Sequence, residues 1–426
     1  MLSRNVKRII RNPYLFSVIS KAVGVLIGFI FTIFQARFLG AEIKGQVTTV
    51  NSIVSIASIF MGFGICNSYP YYKRKSQTDL LPVFLQIALL LLGVYSLIST
   101  IAILFFYPAS KLTAVLILTP IVTYDGFISY ISLIEMPNRR NATDMAIMLT
   151  ELVILLVLWL VASPTFVIGV VIITSKNVIK AVLFSFWWRD KLIAHTEDFG
   201  QWLIKTVKFG FFPMLAVLMT TLNYRIDVLM LDGNVPDAAI GVYSIGVMLS
   251  ERVWLATDAM KGVMVSNISK GKDARETIFV IRICNTFCLF MMIAIIALGK
   301  PFIDLIFGAE YSGAYQITLI LLAGVFPMNY YKMIDAYIVA MGKQVISFFL
   351  LSVGVVSNII SNFILIPPMG IYGAGVASAI SYTLCSILFT VYFCHTTGLS
   401  FREMLLVNRN DIQKIRMLLP KAQKEA

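Results

Sequence analysis

The chain has 426 residues, of which 58% are hydrophobic and 13% charged, with a formal net charge of +13 and a mean hydropathy of +0.85. Soluble domains carry about 25% charged residues, so a water-soluble fold is excluded. A β-barrel is excluded as well, because the apolar runs are long and continuous and do not alternate in segments of about ten residues. One spanning helix needs roughly 20 apolar residues, which gives material for about a dozen spans.

The chain opens with a basic stretch, Arg4, Lys7, Arg8 and Arg11, that runs directly into an apolar segment. No small-residue cleavage site follows a short apolar region, so the first helix is expected to be a retained span. Spans are predicted at 14–38, 46–70, 81–107, 111–135, 142–162 and 165–188, followed by a polar connector at 189–208. A second set is predicted at 209–231, 238–262, 277–299, 314–341, 345–366 and 371–395, with a basic tail at 396–426.

Alternate loops test this order, because cytoplasmic loops hold the excess of Lys and Arg. One side holds the N-terminal cluster, Lys73 to Lys75, Arg139 and Arg140, the connector, Lys270 to Arg275, Lys343 and the tail. The other holds Lys44, Lys111 and Lys300, with Arg37 at a helix end. An even number of spans with both termini cytoplasmic follows, and clusters placed this way are topology signals, not a nucleic-acid surface. The tail's Lys and Arg are expected to lie on the anionic inner leaflet.

The connector divides the chain into six-span bundles at 1–188 and 209–395. Leu39 to Gly45 after the first span is weakly similar to Pro236 to Gly241 after the seventh, as a duplicated unit requires. Six is even, so the expected fold class is an all-α polytopic membrane protein of two bundles related by a pseudo-two-fold axis along the membrane normal.

No phosphate-binding G-x-x-x-x-G-K-[ST] loop occurs, so no nucleotide cofactor is expected. The five cysteines sit in apolar runs and read as small fillers; the Cys284/Cys288 pair lacks the His or Asp neighbours of a metal site. His195 and His395 lie at or outside span ends, where they serve poorly as proton relays. Short extracytoplasmic loops, with Asp304 and Glu310 in one of them, leave no room for a catalytic domain, so an enzyme is not expected.

Three stretches carry a family resemblance. They are Arg37-Phe38-Leu39-Gly40-Ala41-Glu42-Ile43-Lys44-Gly45, the run from Asp227 to Gly241-Val242-Tyr243, and Asn358 to Ser381 with Leu365-Ile366-Pro367 and Gly370-Ile371-Tyr372-Gly373-Ala374-Gly375. In this order and spacing they resemble the polysaccharide flippase branch, Wzx-type O-antigen flippases included, of the multidrug/oligosaccharidyl-lipid/polysaccharide exporter superfamily. The resemblance implies alternating access between two bundles and the passage of a polyprenyl-pyrophosphate-linked sugar from the inner to the outer leaflet of a bacterial inner membrane. Its implied partners are that lipid-linked sugar, membrane lipids and a polysaccharide polymerase with other assembly proteins.

Charges within spans cost about 2.5–3.5 kcal/mol each on insertion scales, so they must face one another or a wet cavity. The basic candidates are Lys21, Lys176, Lys180, Arg225, Arg252 and Lys332; the acidic ones include Asp125, Glu151, Asp227, Glu251 and Asp335. A sugar headgroup and its pyrophosphate lose too much hydration in hydrocarbon to cross without a polar, cationic chamber. The candidate substrate-binding residues are therefore Lys21, Lys176, Lys180, Arg225, Asp227, Arg252, Lys332 and Asp335.

For each a structural reading stands beside the functional one. Lys176 and Lys180, four apart, share a helix face and either hold an anion or send Lys180 to the interface. Lys21 either enters the cavity or snorkels back to the interface. Arg225 and Asp227, two apart, point to nearly opposite sides. Lys332 and Asp335, three apart, are expected to pair with each other. Pro213 and Pro327 weaken their helices and are candidate hinges. Tyr330 and Tyr331 lie deep enough for a sugar platform or for ordinary packing. A cation-coupled exporter of small amphipathic molecules with the same fold, using Asp227 or Asp125, is the alternative function.

Overall fold

The computed structural model describes residues 13–76, 78–107, 109–194, 196, 198–269, 274–408, 410, 411 and 413, without the side chains of 13–22, 263, 266, 267, 269 and 274. Arg4, Lys7, Arg8 and Arg11 of the N-terminal stretch, His195, Lys270, Lys272, Arg409 and the tail from Lys414 onward lie outside the described residues, as does the side chain of Lys21.

The helices are α1 (Pro13–Gly62), α2 (Ile65–Lys75), α3 (Leu81–Phe106), α4 (Ser110–Glu135), α5 (Pro137–Val161), α6 (Phe166–Trp187), α7 (Arg189–Ile193) and α8 (Phe199–Leu231). They continue as α9 (Asp237–Glu251), α10 (Leu255–Ser269), α11 (Ala274–Ile306), α12 (Ala314–Ala340), α13 (Gln344–Met369) and α14 (Ile371–Thr397). Among the described residues 11 helical runs are long and apolar enough to cross a membrane. The first of them, Val23–Lys75, contains 53 residues, about 80 Å of helix at 1.5 Å per residue and so enough for two spans.

Gly40 makes that division. Its φ of 71° and ψ of 171° interrupt the helical backbone of α1, a conformation that a side chain would resist. The first two predicted spans thus come from the two arms of α1 with α2. Two other boundaries differ from expectation. Part of the polar connector is helical, since α7 lies inside it and α8 begins at Phe199. The predicted span at 238–262 is divided into α9 and α10 by a tighter turn at Arg252–Trp254.

The chain forms two compact units, Met1–Ser244 with Asp304–Tyr311, and Ile245–Ile303 with Ser312–Ala426. In the first unit an apolar core gathers Tyr69, Phe84, Leu85, Ile128, Ile131 and Phe184 from α2, α3, α4 and α6. The turn around Gly40 is fastened by the segment 304–311. Arg37 donates from Nε to the Ile306 carbonyl at 2.7 Å and from Nη2 to that of Leu305, so a cation meets the carbonyl-rich end of α11. Glu310 accepts from the Ala41 N–H at 2.7 Å, and the Tyr311 hydroxyl donates to the Ala36 carbonyl at 3.0 Å.

Beyond the turn, the two weakly similar stretches lie against each other. A Cβ on Gly45 would fall 1.8 Å from the Asp237 carbonyl oxygen, and one on Gly241 would fall 2.0 Å from that of Ala41. Gly64 and Gly210 make a second backbone crossing, with a Cβ on Gly64 only 2.2 Å from the Gly210 carbonyl. Lys111 joins α4 to the turn after α8 through Asp232 at 2.9 Å and Asp237 at 2.6 Å. On the connector, Lys191 reaches Asp79 at 2.6 Å. Burial raises the Asp79 carboxyl, but this ammonium, the Leu81 amide and Lys73 together hold it below its ordinary range.

In the second unit α12, α13 and α14 pack closely. A Cβ on Gly324 would lie 2.5 Å from the Ala379 Cα, and one on Gly354 would lie 1.9 Å from Cys385 Sγ. The region around Pro327 is braced by side chains. Trp254 Nε1 donates to the Val325 carbonyl at 2.8 Å, and the Ser386 hydroxyl donates to that of Pro327 at 2.6 Å. Outward faces carry large apolar residues such as Leu97, Phe105, Leu160, Phe290 and Phe363, as a lipid-facing surface requires.

These crossings predict a sharp distinction between glycines. Gly241→Val should destabilise the protein by at least about 1–3 kcal/mol through overpacking, whereas Gly93→Val, with nothing within 4 Å of the new Cβ, should be close to neutral. Thermal melting of both variants in detergent, with the monodisperse yield, checks this; equal melting temperatures would mean the crossing is not tight.

Candidate functional site

Each unit holds charged side chains inside its helices. In the first, Lys180 on α6 lies 3.3 Å from Asp144 on α5 and 3.8 Å from Asp125 on α4. Asp144 also pairs with Arg140 at 2.9 Å, one turn away on α5, and Asp125 accepts from the Ser129 hydroxyl at 2.9 Å. Lys180 is therefore clamped between two carboxylates from neighbouring helices.

Lys176, one turn earlier on α6, is exposed. No hydrogen bond or ion pair holds it among the described residues; it acts through space on Glu151 and Asp125 and on Lys44. Glu151 is 6% exposed, and its Oε1 has no hydrogen-bond partner among the described residues. Lys44 reaches back along α1 to donate to Gln35 Oε1 at 2.6 Å. Three lysines and three carboxylates thus influence one another across four helices. In a low-dielectric setting such charges attract a mobile ion more strongly than in water, against the cost of stripping its hydration.

Arg225 and Asp227 separate as their spacing requires. Asp227 is 2% exposed; it accepts from the Tyr243 hydroxyl on α9 and from the Val228 N–H at 2.8 Å. The aspartate and the tyrosine of the second motif are thus joined as one helix-to-helix tie. Arg225 is half-buried and has no hydrogen bond or ion pair among the described residues.

In the second unit Lys332 and Asp335 do not pair with each other. Lys332 lies 2.6 Å from Asp258 and 4.2 Å from the centre of the Trp254 ring, a cation over an aromatic face. Asp335 lies 3.4 Å from Lys261 and accepts from the Ser347 hydroxyl. The reason is geometric: Asp258 and Lys261 on α10 have the same three-residue spacing and opposite order of sign, so two interhelical pairs replace one within α12. Arg252 is half-buried in the turn between α9 and α10.

Tyr330 and Tyr331 are 4% and 3% exposed, packed on Phe401 and Phe389, so neither is an open platform in this state. Cys284 and Cys288 are buried and free, and no cluster suited to a metal ion occurs among the described residues.

Sequence reasoning missed Lys44, Gln35 and Asp144 in the first unit and Asp258 and Lys261 in the second. Lys44 read as a loop charge because the continuation of helix past Gly40 was not foreseen. The α10 pair was detectable, since its spacing mirrors that of Lys332 and Asp335.

Comparison with known proteins bears on the fold and the family. Residues 12–252, more than half of the chain, match the family model for polysaccharide biosynthesis proteins. An uncharacterized membrane protein of Methanocaldococcus jannaschii is 27% identical over 184 residues, a match that takes in 39% of this chain and only 41% of that one. Among solved structures, the lipid II flippase MurJ in an inward closed conformation superposes with a TM-score of 0.67 at 17% identity, over 95% of this chain and 92% of MurJ. An inward-facing multidrug resistance MATE family transporter of the MOP superfamily gives a TM-score of 0.60 at 12% identity, over 90% of this chain and 98% of its own. A MOP superfamily transporter from Pyrococcus furiosus, described as having a binding pocket of reversed polarity, gives 0.58 at 12% identity over 93% and 99%.

The ion pairs predict a pairwise stability effect. Lys180→Met alone should cost up to about 3–5 kcal/mol by leaving the buried Asp125 carboxylate without its cation, while Asp144 keeps Arg140, and adding Asp125→Asn should recover part of that loss. A double-mutant cycle by thermal melting measures the coupling, and strictly additive effects would mean that no interaction exists between the two.

Proposed function

The chain belongs to the polysaccharide biosynthesis protein family, and from that premise we propose that it is a flippase, not an enzyme, for a polyprenyl-pyrophosphate-linked oligosaccharide such as an O-antigen, capsule or exopolysaccharide repeat unit. It moves the headgroup from the inner to the outer leaflet of a bacterial inner membrane, with both termini cytoplasmic. Alternating access between six-helix bundles at 1–188 and 209–395, joined by the connector 189–208, is the mechanism. A polysaccharide polymerase on the outer face is the partner that takes the product.

The observation that carries this reading is Lys176. An ammonium in the middle of a spanning helix, exposed and without a hydrogen-bond or ion-pair partner among the described residues, costs several kcal/mol unless water or an anion meets it. The diphosphate of a lipid-linked sugar supplies that anion. Lys180, one turn on, is held by Asp144 and Asp125, so its charge becomes available to phosphate only as those carboxylates give it up. The first contact falls to Lys176 and the exchange of partners at Lys180 follows. The prenyl tail stays in lipid while the headgroup crosses.

A second reading, a cation-coupled exporter of small amphipathic molecules, is favoured by one feature. The Glu151 carboxylate is buried with one oxygen unpartnered among the described residues, and a proton or a cationic solute would complete it.

Depleting the protein decides between them. A flippase leaves complete, unpolymerised lipid-linked units on the inner leaflet and no surface polysaccharide, whereas normal polysaccharide with altered efflux of cationic dyes means the exporter. Within the flippase reading, Lys176→Glu should cut export at least tenfold at normal protein level, and Lys176→Arg should retain most of it. Full export by Lys176→Glu would remove the anion contact from the mechanism.

A further inference from the structure

Beyond Thr397, where α14 ends, the chain does not leave the second unit. It turns at Gly398, whose φ is 71°, and forms a short tight turn at Phe401–Met404 closed by a reciprocal cap between Ser400 and Glu403. Met404 is fully buried, and the Phe401 ring lies 5.5 Å from that of Tyr330. The carbonyls of Met404 and Leu405 accept from Asn285 Nδ2 at 2.8 and 3.1 Å.

The segment then descends α11 to an anchor. The Val407 N–H donates to Thr286 Oγ1 at 3.2 Å, and Asn408 and Asp411 exchange hydrogen bonds at 3.0 Å. Asp411, 1% exposed, meets Arg282 with Nε 2.9 Å from Oδ2 and Nη2 donating to Oδ1 at 2.9 Å.

Depth makes this arrangement unusual. Asn285 lies eleven residues into α11 and Tyr330 ten residues before the end of α12, each about 15 Å of helix from the end where α14 finishes. Where such non-helical backbone enters the bilayer it persists only when buried in protein or lining a wet cavity.

What the segment covers is polar. Asn285 Oδ1 accepts from Asn329 Nδ2, and Asn329 Oδ1 accepts from the Thr257 hydroxyl; all three residues are fully buried. Lys332, three residues on from Asn329 in α12, lies over the ring of Trp254 in the turn before α10. Amides, a hydroxyl, two aromatic rings and an ammonium close together on neighbouring elements are groups that bind saccharides. Two of these groups meet the segment itself: Asn285 donates to its carbonyls as it would to sugar hydroxyls, and Tyr330 packs on the Phe401 ring as it would on the apolar face of a pyranose.

We propose that residues 400–408, with Asp411 as the latch to Arg282, are a removable strap, and that the space beneath it, once vacated, receives the saccharide headgroup of the transported lipid. The second half rests on the flippase reading; the first does not.

The native thiols of Cys284 and Cys288 report on this space, since Cys288 Sγ lies 3.8 Å from Thr257 Oγ1 and both cysteines are fully buried. The full chain with Cys66, Cys385 and Cys394 replaced by Ala is reconstituted in nanodiscs and labelled with N-ethylmaleimide. Asp411→Arg should raise the labelling rate at least tenfold, and Arg282→Asp added to it should restore slow labelling, which separates release of the strap from misfolding. Equal rates in all three forms, or fast labelling that the exchanged pair does not reverse, overturn the strap.

Lipid-linked saccharide extracted from the host membranes should then slow labelling of Asp411→Arg, while the lipid fraction of the same extract, recovered after mild acid hydrolysis has removed the saccharide, should not. Absence of that difference overturns the saccharide site and leaves the latch standing. The labelling needs no transport, so a failed flippase assay and a failed strap are told apart.

Discussion

The close contact between Ala41–Gly45 and Asp237–Gly241 is the constraint on which the first unit is built. Between helices in lipid there is no hydrophobic driving force, so association depends on backbones close enough for dispersion and polar contacts. Gly45 and Gly241 permit that approach. It places Asp237 within reach of Lys111, and α9 beside α8 so that Tyr243 meets Asp227. On the other side of the same turn, Arg37, Gly40 and Ala41 receive the end of α11 and Glu310. The first two family motifs therefore act largely as structure. Their glycines, arginine, aspartate and tyrosine hold helices together.

Much of the architecture was legible because the bilayer narrows the choices. Span length, continuous apolar runs and the alternation of Lys and Arg clusters each report a physical requirement, and together they locate nearly every helix. What escaped was finer geometry. The joining of the first two spans through Gly40 was hidden, because a glycine turn reads alike whether it ends a helix or bends it. The break at Arg252–Trp254 was hidden because it depends on Trp254 finding a carbonyl on α12, a contact between residues distant in sequence. The helical start of α8 within the connector was obscured by its polar composition.

The site was legible as a set of charges but not as a set of pairs. Lys180, Asp125, Lys332 and Asp335 stand out in any apolar sequence. Their partners Asp144, Asp258 and Lys261 do not, since each lies near a helix end where a charge is unremarkable. Spacing on one helix made Lys332 and Asp335 look like a pair. The structure exchanges that pair for two interhelical ones, which satisfies the same charges and also ties α10 to α12.

Pairing of this kind bears on how charged helices can serve a transport cycle. A buried ion pair contributes little net stability relative to an apolar pair, because desolvation offsets the attraction, while a half-broken pair costs several kcal/mol. A helix tied by such pairs therefore moves readily only when something replaces the lost partner during the motion. Lys180 has two carboxylates within reach, and Arg140 shares one of them, so partial exchange leaves neither cation bare. Lys332 has the Trp254 ring besides Asp258. Redundant partners lower the barrier to rearrangement, whereas Asp227 is held by Tyr243 and its neighbour's backbone N–H close to the Gly241 crossing, where little room exists for an exchange of partners.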